Sequence, residues 1–391
     1  MTALDNEVRQ LAFSVEEYEG RLDRLQGELA RRGLAGMLVH TPENITYLTG
    51  FQTPGYYAYQ CLVVPQTGRP VLVVRKLEQT NVDYFAWITE TAPFEDHQDP
   101  VSTTAAVLSD LGLGEGPVGA EFDSWFVTIR QSEQLNQEVG QIFVDAGGTV
   151  EGLRLIKSPA EVAHIRTSCA AAQAGLKRGI EALGPGVNEN EVAAAVHEGV
   201  ILAGGEHPGL PPFILSGPRT MIPHGTWGGR RIEQGDPIYF EICGTTFRYT
   251  GARMHGAVVG TATDAHRRLA AASIAGVLAA IEAIAPGVPA EQVDRACRRT
   301  IQQHGFGPDE YRHRCGYSIG VSFPPDWGEG HIFSLREGER RELRAGMTFH
   351  MPPAIFDHEH GFAFGFSHSV LVTEDGCETL TDFPLELTEI R

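Results

Sequence analysis

A chain of 391 residues with 42% hydrophobic and 21% charged residues is long enough for two buried cores and too apolar for a disordered polymer. Its formal net charge of −19 argues against nucleic acid or an anionic membrane surface as partner. It leaves room for a cationic or zwitterionic substrate, although acidity alone also serves solubility.

No stretch approaches the roughly twenty apolar residues of a membrane span. The start, MTALDNEVRQLAF, has no basic region followed by an apolar run. The cysteines at 61, 169, 243, 297, 315 and 377 form no CxxC pair. The expectation is a reduced, cytoplasmic protein without disulfides.

Ser14 and Glu17 have capping-box spacing, and Leu22, Leu25 and Leu29 follow at helical intervals, so a first helix is expected to end near Gly33. Strand-like runs come next at GMLVH (36–40), CLVVP (61–65), PVLVVRK (70–76) and AWITE (86–90). A helix over 103–111 and a strand at PVGAE (117–121) complete an α/β domain assigned to residues 1–153.

The boundary is read at LRLIKSPAEVAHI, where Ser158 caps, Pro159 takes the first helical position and Glu161 closes the box. The remainder, 154–391, repeats itself. IEALGPGVNENEV (180–192) matches IEAIAPGVPAEQV (281–293), and GDPIYFEICG is echoed by AGMTFHMPPAIF. Each half reads as two helices followed by a hairpin-like region. That implies a pseudo-two-fold core with a site between the halves.

Several motifs are specific enough to carry a resemblance: RCGYSIGVSFPPDWGEG (314–330), GMTFHMPP (346–353), IPHGTWGG and YFEICG. With the repeated helix–helix–strand order they resemble the pita-bread family of creatinase, prolidase and aminopeptidase P, and within it the ectoine hydrolases. The resemblance implies an α/β N-terminal domain and an α+β pita-bread catalytic domain. It also implies a homodimer in which the aromatic loop TGFQTPGYYAYQC (49–61), with Tyr56 and Tyr57, reaches a neighbour's site.

Metallopeptidases of that fold hold two divalent ions with two Asp, one His and two Glu. The resemblance places those positions here at Glu241, Ala252, Tyr317, Pro352 and Ser367. Alanine and proline side chains cannot ligate, so neither metal nor other cofactor is expected. The histidine-rich DHEHG (357–361) fits no defined ligand geometry and reads as a solvated turn.

What remains for chemistry is His224, at a position that serves proton transfer in creatinase-like relatives, and Glu241, on the strand that once presented a metal ligand. A carboxylate in a partly apolar cleft exchanges protons near neutrality or attacks an electrophilic carbon. Both also have plainer readings, as a structural acid capping donors and as a loop histidine. Tyr317, Arg253, His255 and His350 are candidates for binding substrate, with packing or solvated hairpin positions as the alternative.

The expected activity is metal-independent hydrolysis of a C–N bond in a small polar nitrogen compound such as an ectoine-like cyclic amidine or creatine. The alternatives are a non-hydrolytic elimination, isomerisation or cyclisation, and a ligand-binding module without turnover. A metal-dependent Xaa-Pro peptidase is disfavoured. Phe51, the hairpin TGARMHGAVV and Phe366-Ser367-His368 depart from the ectoine hydrolase pattern, so the pocket is expected to be remade.

Overall fold

The computed structural model describes residues 9–140 and 143–391, and the chain divides into two compact units at Arg154/Leu155. The first unit contains α1 (Val15–Arg31), β1 (Gly36–Val39), α2 (Pro42–Thr49), β2 (Cys61–Pro65), β3 (Val71–Arg75) and α3 (Gln79–Phe85). It continues with β4 (Thr91–Phe94), α4 (Pro100–Asp110), β5 (Val118–Ala120), α5 (Ile129–Val139), β6 (Val144–Asp145) and α6 (Thr149–Arg154). Its sheet has the order β4-β3-β2-β1-β5-β6, antiparallel through β1, β2 and β3 and parallel elsewhere.

Two expectations for this unit need correcting. AWITE is not a strand. Trp87 closes over the end of α2 instead, its backbone N–H reaching Thr49 O at 3.0 Å and its indole N–H reaching Leu48 O at 2.9 Å, so sheet pairing begins only at Thr91. Helices α2, α3, α5 and α6 are not among the elements expected from the sequence. Helix α5 is polar except for a few positions, but Thr128 and Gln131 form a capping box that starts it.

The second unit contains α7 (Pro159–Glu181), α8 (Glu189–Leu202), β7 (Phe213–Ser216), β8 (Pro237–Thr246), β9 (Tyr249–Val259), α9 (Asp264–Glu282) and α10 (Ala290–Gln303). It then forms β10 (Gly316–Ser318), β11 (Ser334–Leu335), β12 (Thr348–Met351), β13 (Ala354–Asp357), β14 (Phe362–Gly365), β15 (His368–Val372), β16 (Cys377–Thr379) and β17 (Thr388–Ile390). The sheets run β17-β9-β8-β7 and β11-β10-β12-β15-β16, with β13 and β14 as a separate pair.

The repeat read from the sequence is built from identical hydrogen bonds. Gly186 and Gly287, both at positive φ, donate to Ile232 O at 2.7 Å and Leu343 O at 2.9 Å. Val187 O and Val288 O accept in return from those same two residues, at 2.8 and 2.9 Å. Each Pro-Gly turn therefore docks on the segment entering its own half's sheet.

Hairpin β8–β9 turns on Phe247 and Arg248, at φ 47° and 65°, a left-handed pair usually given to Asn or Gly. Glu206 offsets the strain by accepting from both backbone N–H groups, at 2.8 and 3.3 Å. The Arg248 side chain donates to Ser322 O and His207 O. Helix α7 crosses this hairpin where Gly244 and Gly251 face each other in register. A Cβ on Gly244 would lie 2.1 Å from Ser168 O, and one on Gly251 would lie 2.5 Å from Cys169 N and Sγ. With no side chains between them, Ser168 donates to Tyr249 O at 2.8 Å and Tyr249 donates to Glu161 at 2.8 Å.

Because Cys169 N and Cα, at 2.5 and 2.9 Å, are main chain of a packed helix and cannot turn aside as a side chain could, Gly251→Ala is expected to destabilise the protein by about 1–3 kcal/mol, read as a lower midpoint in urea unfolding. Gly27→Ala, on α1 where nothing lies within 4 Å, is expected to be neutral or stabilising by up to about 1 kcal/mol.

Candidate active site

Strand β8 alternates in the way a strand with two buried faces must. Ile238, Phe240 and Ile242 enter the core with α7 and α8, which turns Tyr239, Glu241 and Cys243 to the opposite face. On β9, Ala252 and Met254 pair opposite Cys243 and Glu241 and share that face. Glu241 is 6% exposed, and its Oε2 accepts from the Tyr239 hydroxyl at 3.1 Å, its only hydrogen bond among the described residues.

Burial pushes the Glu241 carboxyl up to about 7; the Tyr239 hydrogen bond opposes that rise and the charge of Asp326 adds to it. The group is poised to exchange a proton at neutral pH.

The second half of the repeat supplies the wall. Tyr317 on β10 pairs in register with His350 on β12, and the tyrosine oxygen lies 2.9 Å from His350 Nδ1. The Trp327 indole, which can only donate, gives its proton to that same oxygen at 2.8 Å. The Tyr317 proton is therefore directed to His350 or to a molecule in the cleft.

His350 Nε2 meets Ser367 Oγ at 2.8 Å, and Ser367 also accepts from Met254 N at 2.6 Å. Burial, reinforced by the charges of Arg253 and His368, lowers His350 to about 3, so its ring is neutral where it stands 3.9 Å from Glu241.

The motif 314–330 is explained by close approach. Gly328 lets the chain pass flat on Tyr317, since a Cβ there would lie 2.7 Å from the ring. Gly320 leaves space for the Glu329 carboxylate, which a Cβ would meet at 2.4 Å. That carboxylate pairs with Lys157 at 2.7 Å, both side chains being 1% exposed, and accepts from Ser318. The preceding Asp326 accepts from the N–H groups of Trp327 and Gly328 with one oxygen, at 2.7 and 3.1 Å.

His224 is exposed, at φ 53° in its Pro-His-Gly turn. Its ring lies 5.4 Å from that of Phe213, which lies 5.1 Å from Trp327 and pairs across from Glu241. The structure thus brings His224, Phe213, Trp327, Tyr317 and Glu241 into one continuous set of contacts, with His224 at the rim.

Three assignments to substrate binding are corrected by this geometry. Arg253 and His255 pair opposite Ile242 and Phe240, on the reverse face of the hairpin. There Arg253 donates to the Ser367, Phe383 and Pro384 carbonyls and contacts His368, while His255 sits between the Phe366 and Phe383 rings and reaches Thr388 at 2.8 Å. Burial depresses both, to about 10 and about 3. His350 is fully buried, and its two ring nitrogens are taken up by the Tyr317 and Ser367 hydroxyls.

Tyr56 and Tyr57 belong to the N-terminal unit. Tyr56 packs against Phe126 with ring centroids 5.9 Å apart, and Tyr57 is 80% exposed. Tyr239, Phe213, Asp326 and Trp327 are residues the sequence reading did not single out. The period of two on β8 points to Tyr239, and Trp327 stands inside the quoted motif.

The donor set does not fit a dinuclear metal centre. Of the five positions at which the resemblance places ligands, only Glu241 carries an anionic donor. Ser367 is committed to His350 and Met254, and Ala252 and Pro352 offer nothing. Among the described residues no group of three or more His, Cys, Asp or Glu is placed to hold a metal ion. DHEHG is a turn closed by His360 N–H donating to Asp357 at 3.0 Å. Among the described residues no helix is long and apolar enough to cross a membrane.

Residues 21–156 match the creatinase/prolidase N-terminal domain, and residues 163–374 match metallopeptidase family M24. The chain is 30% identical to the ectoine hydrolase of Halomonas elongata over 397 residues, covering 96% of this chain and 98% of that one. It is 27% identical to a putative dipeptidase of Bacillus subtilis, covering 94% and 99%. Among solved structures, dipeptidase PepE of Mycobacterium ulcerans superposes with a TM-score of 0.82 at 25% identity, covering 97% and 99%. A prolidase of Thermococcus sibiricus gives 0.85 at 22%, covering 95% and 99%, which speaks to the fold alone. With both of its domains matched, the chain belongs to the M24 family and carries that family's creatinase/prolidase N-terminal domain.

Proposed function

We propose that this member of the M24 hydrolases works without a metal and opens a C–N bond of a small cyclic amidine of the ectoine type. The observation that carries the reading is Glu241. It is a buried, singly hydrogen-bonded carboxylate held near neutral pH at the position of a metal ligand whose companions are gone. Full-length similarity to an ectoine hydrolase supports the substrate class.

In the proposed reaction the Glu241 carboxylate takes a proton from water as the water oxygen bonds to the amidine carbon. The C–N bond to the leaving ring nitrogen then breaks, that nitrogen takes up a proton, and the carbonyl forms. One water is consumed, and the ring becomes an amide and an amine. His224, at the rim, exchanges the proton for the departing nitrogen. In a covalent variant a Glu241 oxygen bonds to the amidine carbon as the C=N electron pair moves to nitrogen, water attacks the carboxyl carbon of that ester, and the released hydroxyl adduct expels the ring nitrogen to give the same products. Tyr317, ordered by Trp327 and His350, supports the adduct by a hydrogen bond.

The same proposal includes a homodimer in which Tyr56 and Tyr57 contribute to a second copy's cleft, and a cytoplasmic location.

Incubation with ectoine in the presence of chelator is expected to yield a product heavier by one water in mass spectrometry. An unchanged mass, or loss of ammonia, would sink hydrolysis in favour of a different reaction. Glu241→Gln is expected to lower kcat by about 1,000-fold or more, and His224→Ala by about 100-fold.

The pH dependence follows from burial. Because Glu241 must be ionised to act, kcat/KM should rise as pH increases through about 7. Between pH 4.5 and about 7 the folded chain keeps a proton that the unfolded chain has released. Stability should therefore fall as pH rises through that window, by on the order of 3 kcal/mol. Unfolding curves of Glu241→Gln should lack that fall.

A further inference from the structure

Arg314 is the one cation the motif 314–330 places beside the cleft. Its guanidinium stands over the Tyr317 ring, 4.8 Å from the centroid. The space it occupies is opened by Gly330, whose Cβ would lie 2.5 Å from one terminal nitrogen and 3.1 Å from the other. Yet the Arg314 guanidinium forms no hydrogen bond or ion pair with any described residue, the residue's one polar contact being its carbonyl with His313 Nδ1. Most of the half-buried arginines of this unit do: Arg219 pairs with Glu189, Arg230 with Asp236, and Arg298 with Asp294. Arg314 is thus half-buried, held in a glycine-lined cradle, and keeps its planar donor fork unused.

Charge is laid out along Tyr317. At the hydroxyl end stand Glu241 and Asp326, close enough for the charge of Asp326 to oppose ionisation of Glu241. Asp326 is exposed and spends one oxygen on backbone N–H groups. Over the ring stands the guanidinium. Phe213 and Trp327 add aromatic faces, 5.1 Å apart. A wall with acids near the Tyr317 hydroxyl, a guanidinium over its ring and aromatic faces beside them complements a small zwitterion.

We infer that Arg314 is the anchor for a substrate carboxylate, fixing by a bidentate ion pair the anionic end of a small zwitterion whose amidinium end lies at Glu241 and Asp326. This rests on the proposed amidine hydrolysis and adds to it a specificity determinant. It replaces Arg253 and His255, which lie on the reverse face, as the source of positive charge for an anionic group. Binding at Arg314 spends energy on orientation, so the anchor is felt mainly in KM for substrates that carry the carboxylate.

The test compares wild type, Arg314→Met and Arg314→Lys on ectoine and on ectoine carboxamide, which keeps the ring amidine and loses the negative charge. Wild type should favour the carboxylate by roughly 10- to 100-fold in kcat/KM, mostly through KM. Arg314→Met should lose that preference by becoming worse on the carboxylate alone, and Arg314→Lys should keep part of it. Equal losses on both substrates, or a wild type indifferent to the carboxylate, would overturn the anchor and reduce Arg314 to packing for Tyr317.

If wild type turns over neither compound, the amidine reading fails separately. The anchor is then judged by thermal stabilisation with ectoine, creatine and proline. Stabilisation by any of them that disappears in Arg314→Met supports it. No stabilisation of wild type by any of the three overturns it.

Discussion

Lys157 and Glu329 form an ion pair sealed from water at both ends, and the geometry of the candidate site hangs on it. Lys157 lies just ahead of the cap of α7; Glu329 lies in the loop that lays Gly328 on Tyr317, Trp327 on its hydroxyl and Gly330 beside Arg314. Glu329 N–H also donates to Ser318 O at 2.6 Å, which fixes the loop against β10. A buried pair of this kind adds little net stability over an apolar substitute, but removing one partner strands a charge at a cost of about 3–5 kcal/mol. Its value here is positional: one contact registers the start of the first repeat against the wall of the second.

A second constraint is electrostatic. A metallopeptidase cleft of this fold gathers several carboxylates because bound cations neutralise them. Without the cations, such a cluster would repel itself in a medium of low dielectric. Ala252, Tyr317, Pro352 and Ser367 stand where the resemblance places such ligands, and the exposed Asp326 is the like charge that adds to the effect of burial on Glu241. The hydroxyls of Tyr239, Tyr317 and Ser367, with a neutral His350, supply dipoles in place of charges.

Much of this was legible in the sequence where a local rule decides it. The capping boxes at Ser14 and Ser158, the Pro-Gly turns of the repeat and the alternation on β8 each depend on a few neighbouring residues. Arg253 and His255 fail against the same local rule: they sit one and three positions from Ala252, odd offsets that alternation along β9 turns to the reverse face. Trp327 and Gly330 were visible as motif letters, but their roles depend on how a loop folds back on Tyr317. AWITE was misread because its tryptophan is spent on covering a helix end, a tertiary demand that overrides strand propensity.

The same alternation on β8 and β9 bears on how such a cleft can change over time. Glu241 and Arg253 are held on opposite faces solely by the parity of their positions. An insertion or deletion of one residue ahead of Glu241 in β8 would send the acid into the core behind α7 and α8, and one ahead of Arg253 in β9 would bring the buried arginine to the front. The β8–β9 ribbon is therefore closed to single-residue length variation. Novelty in the pocket must come through side-chain replacement at fixed positions, or through the loop at 207–212, where no strand register has to be preserved.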